Sequence, residues 1–228
     1  MTFEAVADNL ARVRDDIARV QAAAGLRQAV TIVAVTKGHP ADAVEAACSA
    51  GLPDVGENRV QEALAKMVLV QAPVRWHLIG HLQTNKAKSV PGNFAMVHSI
   101  DSLRVADAVG RAATKMGIEV PVLLQVNVAG EGQKTGCAPE EAAELVEQVA
   151  GMPGVGVEGL MTMAPFTDDE RVQRTAFAAL RQLRETLATP QRPLAHLSMG
   201  MSGDYRAAVA EGATMVRLGT VLFGERSV

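Results

Sequence analysis

Cysteine is scarce in this chain: Cys48 and Cys137 are the two among 228 residues. So few thiols exclude a disulfide framework, and reduced thiols in a cytosolic protein are expected. Basic clusters are missing too. The 22 Lys and Arg residues face 25 Asp and Glu residues, a net charge of −3, and none of them gather into the patch that nucleic acid requires. The N-terminus carries acids from its fourth residue and no unbroken apolar run, so neither a signal peptide nor a membrane span is expected there. Neither nucleic acid nor a membrane is therefore expected as a partner. No linker, low-complexity tract or charge block divides the chain, and one domain over residues 1–228 is expected.

What is present is ordinary globular composition, 48% hydrophobic, enough for one sizeable core. Phe3, Val6, Leu10, Val13, Ile17 and Val20 recur at spacings of three and four. They predict an amphipathic helix over residues 1–25, closed by Gly25 and packed on the rest. Then short β-branched runs alternate with Ala-, Glu-, Arg- and Leu-rich helical patterns. The runs are "TIVAV" (31–35), "PDVG" (53–56), "VRWHLIG" (74–80), "FAMVHSI" (94–100), "VPVLLQVNV" (120–128), "GVGVEGLM" (154–161), "LAHLS" (194–198) and "ATMVRLG" (213–219). "QTNKAKSV" reads as a short helix, and "TDDERV" opens a longer one with Thr167 and Glu170 at capping-box spacing. Parallel strands need crossovers. Eight strand–helix units in this length predict an α/β fold, a closed (β/α)8 TIM barrel.

In such barrels chemistry sits where the strands end. The first predicted strand runs into Lys37 and the second into Glu57 and Asn58. The third ends on His77, Gly80 and His81, the fourth on His98 and Ser99, and the fifth on Asn127. The sixth ends on Met161 and Met163, the seventh on Ser198, and the eighth on Arg217, Gly219 and Thr220. A lysine at an internal strand end is desolvated, which makes its amine easier to deprotonate and able to attack an aldehyde. Taken alone, it is better explained by a side chain that reaches the barrel rim and does nothing there. Ser198, Gly200 and Ser202 after the seventh strand, with Gly219 and Thr220 after the eighth, occupy the two loops where this fold holds phosphate. Asn58 fits a ring substituent or a helix cap. His77 fits a ligand contact or a satisfied core histidine. Met161 fits core packing or a contact.

Lysine, phosphate loops and arginine together point to pyridoxal 5′-phosphate, whose aldehyde, phosphate and pyridine nitrogen lie on different sides of one ring. An arginine facing that nitrogen disfavours its protonation and blunts the electron sink of the cofactor.

The motifs "AVTKGHP", "GENRVQEALAK", "WHLIGHLQTNKAK", "VHSIDS", "LLQVNVAGEGQKTGC", "GLMTMAP" and "LSMGMSGDYRAAVAEGATMVRLGTVLFG" resemble the pyridoxal phosphate homeostasis protein family, single-domain relatives of bacterial alanine racemase. The resemblance covers nearly the whole chain. It implies a barrel of the alanine racemase type with the cofactor held as a Schiff base on Lys37. It places Arg217 at the pyridine nitrogen, Ser198, Gly219 and Thr220 at the phosphate, and Asn58 near the ring. It implies a monomeric carrier or regulator of vitamin B6 and of amino- and keto-acid balance, with no established reaction and with apo-enzymes as candidate partners. In one respect the chain departs from the family, whose members usually carry a polar, basic or bulkier residue after the lysine; here Gly38 and His39 follow. A second amine near the cofactor would have to come from Lys86, Lys88 or Lys134.

Three rival readings rank lower. An amino-acid racemase needs acid and base groups on both faces of the substrate carbon. The one tyrosine, Tyr205, reads as a helix-face residue, and no residues are left over for a second domain. A metal-dependent hydrolase would use His39, His77, His81, His98 and His196. No His-x-His pair occurs, however, and the eighth strand brings an arginine where a carboxylate ligand would be needed. The phosphate loops alone would also suit a barrel enzyme acting on a phosphorylated sugar.

Overall fold

The computed structural model describes residues 3–130 and 135–225. Eight parallel strands close into a barrel in sequence order. They are β1 (Thr31–Val35), β2 (Asp54–Glu57), β3 (Arg75–Leu78), β4 (Met96–Ile100), β5 (Val120–Gln125), β6 (Val155–Met161), β7 (His196–Met201) and β8 (Met215–Leu218). The ring closes where β1 pairs with β8, with Val33 opposite Arg217 and Ala34 opposite Leu218. Helices α2 (Ala41–Ser49), α3 (Val60–Met67), α4 (Leu103–Lys115), α5 (Ala142–Ala150), α6 (Glu170–Leu187), α7 (Tyr205–Ala210) and α8 (Thr220–Phe223) follow the strands, except that β3 is followed by a 3₁₀ helix, Thr84–Ser89. Among the described residues no helix is long and apolar enough to cross a membrane.

Alternation along the strands makes two cores. Outward side chains such as Ile32, Ala34, Val55, Leu78, Val97 and Leu160 join the helices in one large apolar layer. Inside the barrel, Met96, Leu123, Met161 and Met215 form a second, smaller cluster. The additional helix α1 (Val6–Ala24) lies outside, burying Val6, Leu10, Val13 and Ile17. Each such burial contributes roughly 2 kcal/mol. Asn9 Nδ2 donates to the Leu222 carbonyl, tying α1 to α8.

Local details depart from the sequence reading. The cap of α6 is Asp169, whose carboxylate accepts from the Arg171 N–H; Thr167 instead accepts from the Asp169 N–H. The helix begins at Glu170, so the cap falls two residues after Thr167. Asn58 does not cap α3, because the N-cap residue is Arg59. Pro139 opens a 3₁₀ turn, Pro139–Glu141, that leads into α5.

Candidate functional site

The C-terminal rim collects Lys37, Asn58, Gly219 and Thr220, all at least partly exposed. Lys37 lies two residues past the end of β1. By strand alternation it shares the inward face with Val33 and Val35, and Val33 is the register partner of Arg217. The turn after Lys37 needs Gly38, whose φ is 72°, a left-handed backbone that side chains resist. His39 is buried and turned away, packed edge-on against Phe3 at 5.9 Å and tilted against Phe223 at 5.4 Å.

Both sides of Lys37 are held by one polar cluster behind the rim. Thr36 Oγ1 donates to Glu57 Oε1 at 2.6 Å. The Gly38 N–H donates to Glu62 Oε1 at 2.7 Å. The buried Lys66 ammonium reaches the Thr36 carbonyl (2.7 Å), Glu57 (2.6 Å) and Glu62 (3.2 Å). Burial pushes the Glu57 carboxyl up despite Lys66 and Thr36. Sequence reading missed Lys66 and Glu62, which look like an ordinary i,i+4 surface pair on α3.

The loops after β7 and β8 are joined by Ser202. Its hydroxyl oxygen accepts from the Gly219 and Val221 N–H groups, both at 3.2 Å. Gly200, with φ 94°, lets β7 lie against α7: a Cβ there would stand 2.6 Å from that of Ala208.

Beneath the rim lie His77, Met161, Ser198 and Arg217, all buried. Met161 packs in the inner methionine cluster. His77 has no free ring nitrogen for a ligand: Nε2 meets Asp54 Oδ1 and Nδ1 meets His98 Nε2, each at 2.9 Å. Ser198 is not in the loop region at all. It is fully buried, its Oγ 2.8 Å from His98 Nδ1 and 2.7 Å from Arg217 Nη1. A strand-end serine was read as loop because alternation over six residues does not reveal which pleat is the last one covered. Arg217 also donates through Nη2 to the Thr162 carbonyl at 2.9 Å. Burial lowers its pKa to about 10, so it stays a cation at neutral pH. Burial is also the main cause that pushes His98 well below the usual imidazole range, with neighbouring charges from His77, Arg217 and His196 adding to it. For Asp54, burial works against the charge, but hydrogen bonds from His77 and Arg75 outweigh it and bring the pKa down to about 2.

Tyr205 is buried rather than surface-facing. Its hydroxyl donates to Asp16 on α1 at 2.8 Å, and burial together with that carboxylate raises its pKa to about 12. Apart from the His77–His98 pair, the histidines lie in separate environments: His81 beside Asp101 at 3.2 Å, His196 beside Glu158 at 3.5 Å. Among the described residues no three His, Cys, Asp or Glu side chains stand where they could hold a metal ion. Lys86 is half-buried and Lys88 exposed on the 3₁₀ helix; Lys134 lies outside the described residues. Both cysteines are free thiols, and burial raises that of Cys137 to about 11.

A family model described as the alanine racemase N-terminal domain matches residues 9–227. A Pseudomonas aeruginosa protein named pyridoxal phosphate homeostasis protein is 44% identical over 223 residues, covering 97% of this chain and 96% of that one. The structure of PipY of Synechococcus elongatus without PLP superposes with a TM-score of 0.86 at 37% identity, covering 96% of this chain and 100% of that chain. With PLP bound, PipY gives 0.82 at 36% identity over the same shares.

Proposed function

The chain belongs to the alanine racemase N-terminal domain family, and from that premise we propose that it binds pyridoxal 5′-phosphate and takes part in the intracellular homeostasis of that cofactor. It acts as a cytoplasmic carrier or regulator with no reaction of its own, and the whole chain forms one cofactor-binding unit.

The observation that supports this reading is the pairing of β1 with β8, in which Val33, on the strand that leads into Lys37, lies opposite Arg217. The residues fit the cofactor. Arg217 is a buried cation that donates to the Ser198 hydroxyl and the Thr162 carbonyl, with the Asp204 carboxylate favouring its charge. A guanidinium held in this way suits an electron-rich group such as a pyridine nitrogen lone pair. When bound, the cofactor supplies an aldehyde and a conjugated ring that takes up electrons. Lys37 would hold it through its amine. Arg217, which donates but never accepts, would keep the ring nitrogen unprotonated and so weaken the electron uptake that catalysis needs. The backbone N–H groups and hydroxyls around Ser202, Gly219 and Thr220 would hold the phosphate, with Asn58 at the ring edge.

A racemase reading lacks its second base. Tyr205 is tied to Asp16 beneath α1, and a phenol raised to about 12 is a poor match to neutral pH.

The test is direct. The cofactor is added, the visible absorption band recorded, the protein reduced with borohydride and its peptides mapped. Pyridoxyl mass on Lys37 is expected; its absence there refutes the reading.

A further inference from the structure

Five side chains form an unbroken hydrogen-bonded chain through the barrel interior. Arg217 Nη1 meets Ser198 Oγ at 2.7 Å, and Ser198 Oγ meets His98 Nδ1 at 2.8 Å. His98 Nε2 meets His77 Nδ1 at 2.9 Å, and His77 Nε2 meets Asp54 Oδ1 at 2.9 Å. Ser198 on β7 and His98 on β4 are not sheet neighbours, since β5 and β6 separate them. That link crosses the lumen. Asp54 opens β2 at the opposite end of the barrel from Lys37. There it takes two hydrogen bonds from Arg75, Nε to Oδ1 at 2.7 Å and Nη2 to Oδ2 at 2.5 Å, and the Arg75 side chain is 62% exposed. None of the interior links is wet or frayed: His98 and Ser198 are at most 1% exposed, and His77 and Arg217 4%.

With both imidazoles neutral, the two ends fix the direction of every bond between them. Arginine can only donate, and an ionised carboxylate can only accept. With Asp54 accepting, His77 carries its hydrogen on Nε2, and its Nδ1 must accept. His98 therefore carries its hydrogen on Nε2 and donates it to His77. The Nδ1 of His98 must then accept, and Ser198 is the donor. The Ser198 oxygen in turn accepts from Arg217. One arrangement of neutral imidazoles satisfies all five groups, and no group is left unpaired.

We propose that Asp54, His77 and His98 are positioning residues that act through this one-way relay to set how Ser198 and Arg217 present their hydrogens to the ligand site. The relay commits the Ser198 proton to His98, away from the ligand, and holds one guanidinium nitrogen of Arg217 on Ser198. The Thr162 carbonyl holds the other terminal nitrogen, so the guanidinium is fixed in orientation and only its uncommitted hydrogens are left for a ligand. A change at the far end of the barrel is then transmitted to the ligand site without any movement of strands. That last consequence rests on the pyridoxal phosphate reading, whereas the relay itself does not.

Nitrogen-15 NMR of the histidine rings in cofactor-free protein at neutral pH tests the relay. A scalar coupling across the nitrogen–nitrogen hydrogen bond identifies His77 and His98, and both are expected as neutral Nε2–H tautomers. Absence of the coupling, or an Nδ1–H tautomer at either ring, overturns the proposal without any variant being made. In Asp54→Leu, the acceptor that holds the hydrogen of His77 on Nε2 is gone. His77 is expected to lose its fixed Nε2–H tautomer and to populate Nδ1–H, and His98 with it, although His98 does not touch residue 54. A His98 spectrum unchanged from wild type overturns the relay. In protein loaded with pyridoxal phosphate, Asp54→Leu is expected to shift the visible band while the pyridoxyl mass on Lys37 is retained; an unmoved band overturns transmission to the ligand site. If the wild type carries no pyridoxyl mass on Lys37, it is the functional reading that fails, and the NMR arms still decide the relay.

Discussion

The Lys66 ammonium sits 2.7 Å from the carbonyl of Thr36, the residue that precedes Lys37, and so fastens α3 to the backbone of the proposed cofactor lysine. The same ammonium is 2.6 Å from Glu57, which is fully buried. One helix residue thus holds the strand end and compensates a carboxylate that water does not reach.

Replacing Lys66 with Met strands that carboxylate. Loss of one partner from a buried pair costs about 3 kcal/mol, and a chemical denaturation series is expected to show it. The Lys66→Met/Glu57→Gln double variant should recover much of the stability. It should still capture the cofactor more slowly than wild type, because the Thr36 carbonyl has lost its tether. Stopped-flow absorbance at the visible band reads that rate; equal rates would free Lys37 from this cluster.

Gly38→Ala puts a Cβ on a backbone with φ 72°. The strain is roughly 1 kcal/mol, which for a chain of this size lowers the melting temperature by about 2–4 °C. Calorimetry checks it, and a melting temperature equal to wild type would mean that the turn relaxes.

His98 makes stability depend on pH. Its folded pKa is depressed, so the unfolded state binds a proton that the folded state refuses. The associated stability is complete above the usual imidazole pKa of about 6.5 and is lost as pH falls below it. A second loss, from Asp54, follows as pH drops from the ordinary carboxylate range toward about 2; its full size is roughly 2 kcal/mol. Melting temperatures measured between pH 7 and 5 should fall for the wild type, and less steeply for His98→Asn. Parallel curves would mean that another group titrates.

Tyr205→Phe should cost about 1 kcal/mol through the lost hydrogen bond to Asp16 and leave borohydride-trapped cofactor on Lys37 unchanged. A loss of trapping would return Tyr205 to the ligand site.

The barrel was readable because its signal is a rhythm repeated eight times. Even the weak second strand was recovered from its place in the series, as Asp54–Glu57. The rim was readable for the same reason: once strands are placed, Lys37, Gly219 and Thr220 follow from where they end. The interior was not. Asp54, His77 and His98 lie on three neighbouring strands and Ser198 on β7, and it is across the lumen that His98 meets Ser198 within 3 Å. Local periodicity holds no record of which inward residues meet across a lumen. Lys66 was hidden differently, since a lysine one turn after a glutamate is the usual look of a solvent-facing helix, and here the lysine is buried. Thr167 misled because the helix begins two residues further on, with Asp169 as its cap.

The pairing of Val33 with Arg217 closes the ring between the first strand and the last. The strand that leads to Lys37 and the strand that carries Arg217 therefore belong to opposite ends of the sequence and meet at one seam. On the proposed reading an unfinished barrel would have the amine but not the cation. Capture of the ligand would then report that this seam is closed, and ligand in excess would hold it shut and slow its reopening.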